Sequence, residues 1–288
     1  MRWNRSRSSD NVEDRRGQSS GGGMRLGGRS IGLGTVAIAV VAMLLGVDPS
    51  IVLNLAGNLG QPAAQQQSAP PPPVEDEAAR FVSHVLGDTE DTWRMLFAKS
   101  GKTYEDPKLV LFSGSTDTAC GLGQSASGPF YCPGDHKVYI DLEFFKELGS
   151  RFGAPGDFAQ AYVIGHEVGH HVQNLLGISD QVQAERQRGN EKRANLLSVK
   201  LELQADCFAG VWAHHADRTR RVLEAGDIDE GMNAATAIGD DRLQKQSQGH
   251  VVPDSFTHGS SAQRVRWFKR GIESGDPADC NTFKTAQL

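Results

Sequence analysis

A chain of 288 residues, 38% hydrophobic and 23% charged, is long enough for one medium-sized folded core with appendages. Its formal net charge of −5 supplies no broad basic field, which argues against nucleic acid as a partner. Four cysteines, an even number, are compatible with two disulfides if the chain is exported.

In chain order, residues 1–30 carry seven arginines against three acidic residues, with glycines at 21–23, 27 and 28. Lacking hydrophobic periodicity, they read as a flexible basic segment. Ile31 to Val47 is a run of 17 residues without a charge. At 1.5 Å per residue it spans about 26 Å, the short end of the transmembrane range. Its length favours an uncleaved anchor over residues 31–55 rather than a secretory signal, whose apolar stretch is about 7–15 residues. Arginines ahead of the run predict a cytoplasmic N-terminus, one membrane crossing, and the remaining chain outside. Residues 56–74, rich in proline and glutamine, read as a spacer, extended and stiff in its proline part.

Residues 75–288 have the composition of a folded domain. Helices are predicted over 75–86 and 89–99, the second capped by Asp88, with Phe81, Val82, Val85, Trp93, Leu96 and Phe97 as core. Strands are predicted over 108–113 and 137–141, separated by a loop-like stretch from Cys120 to Cys132. A helix capped by Asp141 runs through Arg151, and the next is opened by an Asp157–Gln160 capping box and stopped at Gly177. After it come a polar helix (179–187), a long one (191–215) with Leu196, Val199, Leu203 and Phe208 as core, and one from Asp227 to about Ser247. A last helix is opened by a Ser260–Gln263 capping box. Strands first and helices afterwards indicate an α+β domain, a small sheet packed on a helical body.

The helix starting near Asp157 carries His166-Glu167-Val168-Gly169-His170. Residues four apart on a helix sit one above the other, so two imidazoles can hold one zinc ion. Glu167 lies about 100° round the helix, within reach of water at the metal. Ala161, Ile164, Val168, Val172 and Leu175 form the apolar stripe that would bury the opposite face.

A catalytic zinc needs a third protein ligand and one position open to water. Leu176 stands where a metzincin would have its third histidine, and Gln173 replaces the required glycine, so that arrangement is excluded. Glu202 and Asp206 share one face of an otherwise apolar helix, where burying two carboxylates calls for a cation. This predicts Glu202 as ligand and Asp206 as the partner that orients a ligand histidine through its other ring nitrogen. His214 and His215 are weaker alternatives, and Glu185 and Glu191 read as solvated. Cys120 with Cys132 and Cys207 with Cys280 are the expected disulfides, the second bracing the Glu202 helix.

His166-Glu-x-x-His170 with Glu202-x-x-x-Asp206 resembles the gluzincin arrangement of zincin metallopeptidases. Nearly the whole chain is similar to a bacterial family of membrane-anchored neutral zinc metallopeptidases. The resemblance rests on the stretches 11–17, 128–133, 137–141, 162–177, 202–212, 238–244 and 255–264. The 32 positions between His170 and Glu202 exceed the thermolysin-like spacing and leave room for an inserted hairpin over 178–190.

The resemblance implies a zincin-like fold, zinc as cofactor, a peptide or protein substrate, and a catalytic domain outside the bacterial cell membrane. In this reading Glu167 is the general base, and His258 donates to the oxyanion, with Tyr139 or Arg264 as fallbacks. Substrate would pair with an edge of the small sheet. The competing reading is an envelope binding or scaffolding protein that keeps the zinc site without turnover.

Overall fold

The computed structural model describes residues 1–17, 76–285 and 287–288. The anchor (31–55), the spacer (56–74) and the rest of the basic segment lie outside the described residues. Among the described residues no helix is long and apolar enough to cross a membrane.

The first element corrects, over residues 1–17, the reading of residues 1–30 as a flexible basic segment. Residues 1–17 lie along the folded body as an arm, and Val12–Asp14 forms strand β1. It pairs in parallel with β2 (Lys108–Phe112), which pairs in parallel with β6 (Lys137–Asp141). β5 (Phe130–Cys132) closes the sheet antiparallel to β6, giving the order β1-β2-β6-β5. The stretch from Cys120 to Cys132 is more regular than a loop. β4 (Gly121–Gln124) folds back on β3 (Ser115–Thr118) as a hairpin, and the Cys120–Cys132 disulfide ties its tip to the end of β5.

Helix α1 (Glu77–Lys99) is continuous, capped by Asp76, so Asp88 is no cap. Asp88 is 1% exposed and accepts hydrogen bonds from Trp212 Nε1 (2.8 Å), Arg220 Nη2 (2.7 Å) and Ser6. These long-range partners compensate a carboxylate in a helix interior that local sequence cannot explain. Helix α2 (Glu143–Ser150) takes its first backbone bond on the Asp141 carboxylate, Glu143 N donating to Oδ1 at 3.0 Å.

Helix α3 (Asp157–Leu175) has Gly156, at φ 120°, as its cap in place of the predicted Asp157–Gln160 box. A side chain at Gly156 would strike the Glu230 carboxylate, which accepts the Phe158 N–H at 3.1 Å. Asp157 instead takes the Met1 ammonium at 2.6 Å. The region 178–190 holds helix α4 (Ile178–Arg188), so the insertion is helical and no hairpin. Helix α5 (Glu191–Arg220) follows; Val199, Leu203 and Phe208 are buried as predicted, whereas Leu196 is 49% exposed. The helix expected from Asp227 to Ser247 is two, α6 (Asp227–Ala237) and α7 (Asp240–Gln248), broken at Ile238-Gly239. Helix α8 (Ser261–Ser274) opens with the predicted box, Gln263 N to Ser260 Oγ and Ser260 N to Gln263 Oε1.

Helices α3, α5 and α8 form the centre of the core. The α5–α8 crossing is closed by Gly210 and Gly271. A Cβ on Gly210 would lie 2.1 Å from Phe268 O, and one on Gly271 2.0 Å from Cys207 O. The Cys207–Cys280 disulfide joins α5 to the tail beyond α8. Its sequence separation of 73 corresponds to about 4 kcal/mol in the chain-entropy model. Because the contact at Gly271 is backbone on backbone, Gly271→Ala is expected to lower unfolding stability by about 3 kcal/mol in urea titrations.

Candidate metal centre

Glycine also sets the α3–α5 crossing. A Cβ at Gly165 would lie 2.7 Å from the Trp212 ring, and one at Gly169 2.9 Å from Ala205 O. The two small residues beside His166 and His170 therefore let α5 approach until Glu202 meets both histidines. His166 Nε2 stands 3.2 Å from Glu202 Oε2, and His170 Nε2 stands 3.4 Å from Oε1. Ligands about 2.0–2.1 Å from one tetrahedral ion are about 3.3–3.4 Å apart. The two histidine–Glu202 distances are close to that spacing, and all three donor atoms lie within 4.8 Å of one another. Two imidazoles and a carboxylate are a zinc donor set.

Each imidazole has its tautomer set from behind. His166 Nδ1 donates to Asp206 Oδ1 at 2.8 Å. Asp206 is fully buried and also accepts from Tyr162 OH at 2.5 Å and from Arg264 Nε and Nη2, both at 2.9 Å. Burial raises the Asp206 carboxyl, but the Arg264 and His166 charges more than offset it and hold it below the ordinary range. His170 Nδ1 donates to Gln173 Oε1 at 2.9 Å. The amide orientation follows from the other end, where Gln173 Nε2 donates to Leu201 O (2.7 Å) and Gln204 Oε1 (3.1 Å). Gln204 Nε2 in turn donates to Cys280 O at 3.0 Å, so a chain of amides links His170 to the disulfide-held tail. With both Nδ1–H groups committed, both Nε2 atoms face Glu202, and loss of the Nε2 proton would turn each into a lone-pair donor toward a shared metal.

Glu167 is 7% exposed and lines a groove of about 910 Å³ together with His166, His170, Glu202 and His258. Among the described residues none hydrogen-bonds its carboxylate. Burial raises it above the ordinary carboxyl range; the Glu202 charge adds to this and His166 and His170 oppose it. His258 Nδ1 lies 3.2 Å from Asp240 Oδ1. Asp240 Oδ2 accepts the backbone N–H groups of Thr257 (2.7 Å), His258 (2.6 Å) and Gly259 (3.0 Å), which fixes the loop. The bond to Asp240 raises the His258 pKa above 6.5 despite partial burial, favouring a protonated ring with Nε2–H available.

The remaining candidates are engaged elsewhere. Arg264 is committed to Asp206, and Tyr139 donates to Asp135 at 2.7 Å. His214 Nδ1 and His215 Nε2 bond Ile272 O and Gly275 O at the end of α8, away from the centre. Glu185 and Glu191 are exposed, as expected. Asp157, Asp227 and Glu230 form a second carboxylate cluster, but the Met1 ammonium sits within it, 3.4 Å from Asp227.

Sequence reasoning missed Gln173, Gln204, Asp240 and His171. His171 Nε2 donates to Glu105 O (2.7 Å), so its Nδ1 accepts from Tyr131 OH (3.0 Å) and pins β5 to α3. Burial lowers its pKa to about 4, keeping the ring neutral. The His-His doublet was the only sequence signal for it; Asp240 offered none beyond a position near a helix start.

The model of the family described as "Putative neutral zinc metallopeptidase" matches residues 1–283. An uncharacterized protein of Escherichia coli strain K12, YpfJ, is 57% identical over 98% of this chain and 99% of its own length. Uncharacterized proteins of Mycobacterium bovis (Mb2605) and of Mycobacterium tuberculosis H37Rv (Rv2575) are 42% identical over 86% of each chain. No solved structure matches the chain. With residues 1–283 matched by that model, the chain belongs to the family described as "Putative neutral zinc metallopeptidase".

Proposed function

We propose that the protein is a zinc-dependent endopeptidase with a zincin-like arrangement of helix and sheet. The observation that carries this reading is the spacing of His166, His170 and Glu202 beside an unbonded Glu167 in an open groove. Bound there, zinc would act as a Lewis acid that makes water nucleophilic near neutral pH and polarises the scissile carbonyl.

The chain's own residues supply the rest. Glu167 takes the proton of the attacking water and passes it to the leaving amine, a shuttle helped by its raised pKa. His258, held by Asp240, which favours its protonated form, donates from Nε2 to the developing oxyanion. Asp206 and Gln173 keep the two imidazoles turned toward the metal. β5 ends the sheet, and Phe130 and Tyr131 of β5 line the groove, so an extended peptide can add to its outer edge by main-chain pairing. Two disulfides suit action outside the cytoplasm. The silent-scaffold reading is less well supported, because a retained structural site has no use for a buried Glu167 that no described residue hydrogen-bonds.

Glu167→Gln is expected to keep its zinc by metal analysis while cleavage of an unfolded protein falls by about 10²–10⁴; full activity would remove the assignment. Asp240→Asn frees His258 of the carboxylate that raises its pKa. Its proton is then lost at lower pH, so the alkaline fall in kcat moves to lower pH than in wild type. Gln173→Leu is expected to weaken zinc binding about 10–100-fold in chelator competition, with the fold retained by circular dichroism.

A further inference from the structure

The arm and the body form one compact unit, although the uncharged run from Ile31 to Val47 lies between them in sequence. Their contact is a built interface. Leu109 N donates to Asn11 O at 2.9 Å and Arg15 N to Leu111 O at 2.8 Å, extending the β1–β2 ladder at both ends. Glu13 receives Lys137 Nζ at 3.0 Å and lies 3.2 Å from Lys108 Nζ. Glu90, in the middle of α1, is fully buried, and its carboxylate is held by Ser9 Oγ (2.6 Å), Asn11 Nδ2 (2.8 Å) and Arg7.

The body is shaped to receive the arm. Gly87 lies where any side chain would come within 2.5 Å of Arg7 O. Without the arm, Glu90 would be a buried charge stripped of those partners, which is a heavy penalty for the body alone. Three of the arginines that suggested retention in the cytoplasm are also occupied. Arg7 pairs with Glu90 and Asp91, Arg16 with Asp14 and Asp76, and Arg2 with Glu224. The family match includes the arm, since it begins at residue 1.

A hydrocarbon core is about 30 Å thick, whereas these bonds require contact. We therefore propose that residues 1–17 and residues 76–288 lie on the same side of the membrane, so that the run from Ile31 to Val47 is not a single crossing between them. The conclusion is unchanged if the arm docks on another copy, because every body lies on one side. Whatever path residues 18–75 take, both ends return to one compartment. This revises the topology expected from hydropathy and arginine placement, and it is independent of whether zinc or catalysis is present.

Two full-length variants, each adding one free cysteine to the four held in disulfides, Asp10→Cys in the arm and Glu191→Cys in the body, test it; both positions are exposed. Each is treated with a membrane-impermeant maleimide before and after lysis of spheroplasts. The expected result is the same before-to-after labelling ratio at both positions, whether both are reached or neither. Severalfold labelling of one position before lysis, with the other reached only afterwards, would overturn the proposal. Ser8→Cys with Ser83→Cys, whose hydroxyls are 2.6 Å apart, gives a second readout. A disulfide trapped in cells, or one forming on mild oxidation before lysis, supports the shared compartment. Its absence in both, in a variant that still traps the pair after purification, opposes it.

Discussion

The contact on which the site depends is the buried ion pair between Asp206 on α5 and Arg264 on α8, 2.9 Å apart. It stands where α3, α5 and α8 meet, and His166 and Tyr162 of α3 bond the same carboxylate. A lone Asp206 in that position would cost about 3–5 kcal/mol relative to the satisfied pair. With Arg264 present the carboxylate stays ionised, and an ionised Asp206 keeps a proton on His166 Nδ1, which leaves Nε2 as the nitrogen directed at Glu202. The polarity of the metal centre is thus set two residues away from the metal, inside the helical core. The same crossing is what the glycines permit. Gly165 and Gly169 bring α5 against α3, and Gly210 and Gly271 bring α8 against α5.

The two histidines are supported differently. His166 is held by a charged cluster that is almost fully enclosed, whereas His170 is held by neutral amides leading to Cys280. The Cys207–Cys280 bridge lies next to both supports, one residue past Asp206 and at the end of the amide chain. It therefore fastens the background of the site rather than any ligand directly. On the groove side the elements are less enclosed. His258 is about half exposed, lines the groove and is positioned by Asp240 through its own backbone.

Much of this was legible because helical spacing places i and i+4 on one face. The pairs His166/His170 and Glu202/Asp206 could be read from that period, the capping box at Ser260 and the Cys120–Cys132 bridge followed local rules, and the remaining two cysteines were left to pair with each other. What escaped was set by distant partners. Asp88 resembles a cap until Trp212 and Arg220 are seen beside it. Asp157 yields to Gly156 because Glu230 crowds the start of α3. The arm was read as disordered because β1 has only three residues, two of them acidic, and no alternation to betray a strand. Its order comes from carboxylates some 80 positions away on α1, which no local pattern can announce. Gln173 and Asp240 were invisible for the same reason.

The most direct test is X-ray absorption at the zinc edge on full-length protein purified without chelator. The expected spectrum is one zinc per chain with two imidazole nitrogens and carboxylate oxygen at about 2.0–2.2 Å, and no sulfur. In Glu202→Ala the carboxylate contribution is expected to disappear while the imidazole scattering of any residual zinc remains. A zinc shell unchanged by Glu202→Ala, or one lacking paired imidazoles in the wild type, would contradict the assignment of His166, His170 and Glu202 as the metal centre.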